Sequence, residues 1–200
     1  MTDATLSSGA RRRLDRLGAL LDPDLYRFDR PTTGTDRAQR VELLVDPTGW
    51  VLDVPSIRLT EQMRDPVVLR AVLQEALMVA ELQRMAANAE LRGAGEEEAR
   101  LGRQLLSGQR RVQPRERPPL PRLERPTSRV DDPRREPYPD REQVVTGASR
   151  YGEIRVHCTA TSGLVGLDAE PAWLARAPET EVRYALREAF REAYEKGEPA

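Results

Sequence analysis

At 200 residues the chain has room for one ordinary domain or two small ones, at about 100–200 residues each. Apolar residues make up 38% and charged residues 32%, against roughly 45–50% and about a quarter in ordinary globular chains, so some part of it belongs to a solvated segment. A formal net charge of −1, one Cys and one His exclude an intrachain disulfide, a multi-cysteine zinc site and a His-rich metal centre, and they argue against nucleic-acid binding over the whole surface while leaving room for a local basic patch.

In chain order, Ser7 to Leu21 reads as a short amphipathic helix. Leu14, Leu17 and Leu21 share one side, with Arg11, Arg12, Arg13 and Arg16 around them. Tyr26 to Arg30 alternates as a short strand does, and Arg40 to Val45 reads as a second strand. Asp46-Pro-Thr-Gly49 places Pro and Gly where a type I turn favours them. A third strand is expected over Trp50 to Leu59, with Trp50, Leu52 and Val54 on one face. Asp65-Pro66 opens a helix, since Asp caps and Pro suits the first helical position. Val68, Leu69, Val72, Leu73, Ala76, Val79 and Ala80 supply its apolar stripe. Glu81 to Leu106 prolongs that helix or restarts after a break at Gly93 and Gly95.

Residues 107–142 hold eight of the 16 prolines and few large apolar residues. An extended, polyproline-biased linker is the expectation, because such a segment cannot offset its ordering entropy by burial. Its first part, 107–130, carries seven arginines against two acids. It reads as an inert spacer or, alternatively, as an arginine-rich arm for an anionic partner.

After this segment the grammar repeats. Gln143 to Ala148 reads as a strand, and Ile154, Val156 and Cys158 alternate with polar neighbours. Thr161-Ser-Gly163 is a turn, Leu164 to Ala169 a third strand, and Thr180 to Tyr194 a helix. Leu73-Gln-Glu-Ala-Leu-Met-Val-Ala80 and Leu186-Arg-Glu-Ala-Phe-Arg-Glu-Ala193 align at an offset of 113, as do Thr33-Gly34 and Thr146-Gly147. One inserted residue then aligns Gly49 with Gly163. This is the pattern of an internal duplication. Each copy is expected to be a three-stranded antiparallel meander covered by a helix. Each is small for independent stability, so mutual support is expected.

The order of elements resembles the YbaB/EbfC family of bacterial nucleoid-associated proteins. The residues that carry the resemblance are Val144 to Val156, the turn glycines Gly49 and Gly163, and the helices Leu69–Ala80 and Val182–Ala193. It covers about 50–60 residues of each copy. It implies an α+β fold in two copies: a first over 1–106 with its N-terminal and extended C-terminal helices, the linker 107–142, and a second over 143–200. It also implies association through the sheets, as a homodimer or an intrachain pseudo-dimer, and weakly sequence-specific contact with the DNA backbone. The family's long first helix is replaced by a short one in the first copy and by the linker in the second. Related actinobacterial chains act with specialised secretion systems, so a protein-interaction adaptor or chaperone is the alternative.

Arginine accounts for 31 of the 32 cations, Lys196 being the exception, as a GC-rich genome would give. Arginine also suits phosphate forks. The candidate DNA contacts are Arg11, Arg12, Arg13 and Arg16 on the first helix and Arg110 and Arg111 in the linker, as phosphate contacts that position without reading sequence. Their alternative role is a solvated face. His157 and Cys158 read as an outward His and a core Cys, and Trp50 and Trp173 as core or inter-copy anchors. Asp22, Asp24, Asp131 and Asp132 fall in loop or linker without partner histidines. No phosphate loop or nucleophile elbow is present. A non-enzymatic protein without cofactor or metal is therefore expected. The start lacks an apolar signal region, and no apolar run nears the ~20 residues of a membrane span, so a cytoplasmic location is the default.

Overall fold

The computed structural model describes residues 8–20, 27–92, 100, 104, 144–159 and 163–197. Helix α1 spans Ser8–Leu20. Strands β1 (Thr32–Thr35), β2 (Val41–Val45) and β3 (Val51–Ile57) follow, then a 3₁₀ turn at Gln62–Arg64 and helix α2 over Pro66–Leu91. Beyond 107–142, which lies outside the described residues, come β4 (Val144–Ala148), β5 (Ile154–Thr159) and β6 (Gly163–Ala169). The short helix α3 (Pro171–Leu174) and the helix α4 (Glu179–Gly197) close the order. The protein is α+β, with two separate three-stranded antiparallel sheets ordered β1-β2-β3 and β4-β5-β6.

Local chemistry explains most boundaries. The Asp65 carboxylate accepts the Val67 amide at 2.7 Å and Pro66 occupies the first turn, so α2 starts where its cap is. Asp46 organises the β2–β3 turn. Its Oδ1 accepts the Thr48 amide at 2.8 Å, the Thr48 hydroxyl at 2.7 Å and the Trp50 amide at 3.0 Å. Gly49 turns the chain there with φ +93°.

The two sheets match at the 113-residue offset down to their hydrogen bonds. The Asp36 and Ser149 amides donate to the Val41 and Ile154 carbonyls. The Asp36 carboxylate and the Ser149 hydroxyl accept the Val41 and Ile154 amides. Gln39 and Gly152 both take positive φ, at 54° and 78°. Gly34 lies against Ala76 and Ala80 of α2, and Gly147 against Ala189 and Ala193 of α4. In both places the helix backbone sits so close to the edge strand that only a glycine fits.

The helices do not stay with their own sheets. Helix α2 packs on β1 and β2 and also on β6, and α4 packs on β4 and β5 and also on β3. Gln74 of α2 donates to the Leu164 carbonyl of β6 at 3.0 Å. Arg187 of α4, at the offset position, pairs with Asp53 of β3 at 2.6 Å. Arg183 donates to the Pro55 carbonyl and Arg64 to the Leu174 and Ala177 carbonyls. One apolar cluster runs through both halves, with Leu43, Leu69, Leu73, Ile154, Leu186 and Phe190 at its centre. The two halves therefore share one apolar core, the mutual support expected of units this small.

Three sequence expectations need correction. The first strand lies at Thr32–Thr35, and Arg27 to Arg30 is a lead-in whose Phe28 amide donates to Asn88 of α2 at 2.7 Å. Close approach of α2 at Gly34, rather than the alternation at 26–30, selects the pairing segment. Trp50, Leu52 and Val54 do not share a face: Trp50 is buried ahead of β3, Val51 and Val54 are buried, and Leu52 is 39% exposed. The irregular register between β2 and β3 breaks the period-2 alternation there. Finally, α4 extends to Gly197, where Trp50 covers its last turn.

Candidate functional site

The described arginines of α1, Arg11, Arg12 and Arg13, do not share one environment. Arg11 is 66% exposed, with its guanidinium 3.6 Å from Asp29, and Arg12 is exposed. Arg13 is buried: only 7% of it reaches solvent, and it pairs at 3.1 Å with Asp46, which is fully buried. The Arg16 side chain lies outside the described residues, as do Arg110, Arg111, Asp22, Asp24, Asp131 and Asp132.

Arg13 sits at the seam between the halves. Its guanidinium carbon is 4.4 Å from the ring centre of Tyr194 on α4 and 5.7 Å from that of Trp50. The two rings meet edge to face at 6.3 Å. A buried cation needs such compensation, because charge taken out of water is tolerated only when paired and hydrogen-bonded. The expectation of Trp50 as an anchor between the halves fits this placement. Trp173 is partly buried against the common core.

Many of the other described cations also find partners inside the protein. Arg40 pairs with Asp36 at 2.9 Å, Arg37 with Glu75, and Arg84 forks onto Glu81. Burial of Asp36 opposes its ionisation, but the amide of Val41, the Arg40 side chain and the amides of Arg40 and Ala38 outweigh it and hold the carboxyl below its ordinary value. At the far end of α4, the Ala148 amide and Lys196 likewise hold Glu192 low. There a shallow groove mixes Arg150, Arg155 and Arg191 with Glu188, Glu192 and Glu195. The exposed apolar side chains include Met78, Leu82 and Met85, which share one face of α2 at spacings of four and three.

His157 and Cys158 divide as read from the sequence. Cys158 is buried, and desolvation pushes its thiol up to about 12. His157 bridges three strands: Nδ1 lies 2.9 Å from the Thr146 hydroxyl and Nε2 2.9 Å from the Asp168 carboxylate. Gly166 leaves room for the ring, since a side chain there would meet it at 2.9 Å. Sequence reading missed this row because the three residues lie on three strands, although the offset pairing of β4 with β5 brings Thr146 opposite His157. Among the described residues no group of three His, Cys, Asp or Glu could hold a metal ion, and no helix is long and apolar enough to cross a membrane.

No family model, no curated protein and no solved structure matches the chain.

Proposed function

We propose that this chain is a tandem pair of YbaB/EbfC-like units folded as an intrachain pseudo-dimer, and that it works without catalysis as a nucleoid-associated-type DNA-binding protein of the cytoplasm. The observation that carries the reading is reciprocity: each long helix covers its own sheet and the third strand of the other half. The two copies thus meet through their helices and third strands within one chain, which supports an intrachain pair. Gly34 with Gly147 and Gln74 with Arg187 support the duplication by doing matching jobs at the 113-residue offset.

The charge layout makes the binding mode specific. Arg13 is committed to Asp46, so the phosphate contacts fall to Arg11, Arg12 and Arg16, with Arg110 and Arg111 as the second set. Few contacts mean modest affinity, little dependence on base sequence and a steep loss with salt. Fluorescence anisotropy with two unrelated duplexes at two salt concentrations tests this. Replacing Arg11 and Arg12 by Gln should weaken binding equally on both duplexes and lower the log–log salt slope by about 0.9 per lost contact. Absence of wild-type binding even at about 50 mM salt, where such contacts are strong, would sink the DNA reading.

The second reading, a protein-interaction adaptor or chaperone, is favoured by one specific feature. Met78, Leu82 and Met85 place a row of exposed apolar side chains along α2, the kind of surface that partner proteins cover. Failure of the DNA titration together with loss of partner capture on replacing these three by Gln would favour it.

A further inference from the structure

The outer face of α2 breaks the likeness between the halves. Ala71, Glu75, Met78, Leu82, Met85 and Ala89 follow one another at spacings of four, three, four, three and four. Two sets of residues seven apart, 71–78–85 and 75–82–89, thus run along one side of the helix, the spacing of a seam that meets a second helix. Met78 is 59% exposed, Met85 51% and Leu82 38%, so the centre of the row lies open in the single chain. At the 113-residue offset α4 carries Arg191 for Met78 and Glu195 for Leu82, an exposed ion pair at 3.9 Å. That is how this chain, 32% charged, builds a solvated helix face. The row on α2 has one charge, Glu75, and Arg37 from the β1–β2 turn meets it at 3.7 Å.

The row also reads nearly the same in both directions. Ala71 and Ala89 lie nine residues either side of Ala80, Glu75 and Met85 five, and Met78 and Leu82 two. A two-fold interface sets residue i against j and j against i, so a row of this kind complements a reversed copy of itself. Laid antiparallel, Met78 packs on the partner's Leu82, and Glu75 lies beside the partner's Met85. Ala71 meets the partner's Ala89 at both ends, where small residues let the helices approach to about 8 Å. A parallel pair would set Glu75 against the partner's Glu75, an opposition of like charge.

We propose that the outer face of α2 from Ala71 to Ala89 is a self-association surface, joining two copies of this chain antiparallel about a two-fold axis level with Ala80. The contact is separate from the one inside the chain, where each long helix meets the third strand of the other half. It is independent of DNA contact, which falls to arginines elsewhere, and it covers the exposed row with a second copy instead of a foreign protein. At about 1.5 Å per residue the row is about 27 Å long. One helix face of that length falls at the small end of specific interfaces, below about 1,200 Å² in total, so the dimer is a weak one that forms in the micromolar range.

Sedimentation equilibrium of the full chain between about 1 and 200 µM tests this, a range that spans the affinities of small interfaces. The mass should rise from the 22.6 kDa of one chain towards twice that value. Met78→Arg and Leu82→Glu give α2 the charges that α4 carries at Arg191 and Glu195, at positions exposed in the single chain. Each variant alone should weaken the dimer by about tenfold or more, because each buries an unpaired charge against an apolar side chain. Mixed in equal amounts, the two should associate to within about threefold of the wild type, because reversal sets the new arginine of one chain against the new glutamate of the other. Tyr184→Glu, at the offset position of Ala71 on α4, should leave the mass curve unchanged. Should either charged variant fail to fold, Met78→Gln and Leu82→Gln carry the weakening test. A mass of one chain throughout would overturn the proposal and leave the row to a partner of another kind. A dimer that no substitution in the row weakens, or a mixture no tighter than its two components, would overturn it as well.

Discussion

Replacing Gly34 by Ala tests the contact that joins sheet to helix in the first half, and Gly147→Ala tests its counterpart in the second. A methyl group on Gly34 would lie 2.6 Å from the Ala80 amide nitrogen and 2.8 Å from the Ala80 Cβ, and closer still to the Ala76 carbonyl. On Gly147 it would lie 2.8 Å from the Ala193 Cβ and meet the Ala189 carbonyl. These obstacles are mainly helix backbone, which cannot rotate aside as a side chain does, so α2 or α4 must lift off its edge strand. Overpacking costs about 1–3 kcal/mol, occasionally more, and a backbone obstacle puts both variants near ~3 kcal/mol. At roughly 2–4 °C per kcal/mol for a chain of this size, each melting temperature should fall by about 6–12 °C. Thermal and urea unfolding followed by far-UV circular dichroism measure it, with the urea m-value unchanged. Gly152→Asn is the control: its φ of +78° is one Asn accepts, the space beside it is open, and the cost should stay under about 1 kcal/mol. The reasoning fails if either alanine variant melts within about 2 °C of wild type, a shift worth no more than ~1 kcal/mol. It fails equally if Gly34→Ala is costly and Gly147→Ala is not.

Three further outcomes follow from the charge and burial pattern. Arg13→Ala should destabilise by about 3 kcal/mol because it strands the buried Asp46 carboxylate, while Arg11→Gln and Arg12→Gln should each stay within ~0.5 kcal/mol; chemical denaturation separates them, and equal effects would contradict the burial of Arg13. Asp36 ionises more readily folded than unfolded, so its contribution is complete above its ordinary value of 3.8 and disappears as pH falls through the lower folded value; Asp36→Asn should flatten the acid limb of the stability–pH curve, and an unchanged limb would count against it. Cys158, with its thiol pushed up to about 12, should react with a thiol reagent at pH 8 only as fast as the protein opens, so rapid labelling of the native chain would refute its burial.

What the sequence determined by itself is what reaches no further than a turn or one hairpin. The Asp65-Pro66 cap, the Asp46-Pro-Thr-Gly49 turn and the alternation of Ile154, Val156 and Cys158 each rest on neighbouring residues, and the structure has them where those residues require. The 113-residue offset was also legible, because matched spacing of Gly, Ala and Leu is a pattern along the chain. Tertiary structure decided the rest. The strand at Thr32–Thr35 was chosen by helix α2 pressing on Gly34 from more than 40 residues away. Arg13 looked like one of four arginines on a helix surface. Its partners, Asp46, Trp50 and Tyr194, are set by the turn of one half and the final helix of the other. A guanidinium is indifferent, as far as its own helix is concerned, to facing water or a carboxylate. Only the fold brings a buried carboxylate within 3.1 Å, and the desolvation of that pair is what turns a candidate phosphate contact into an internal one.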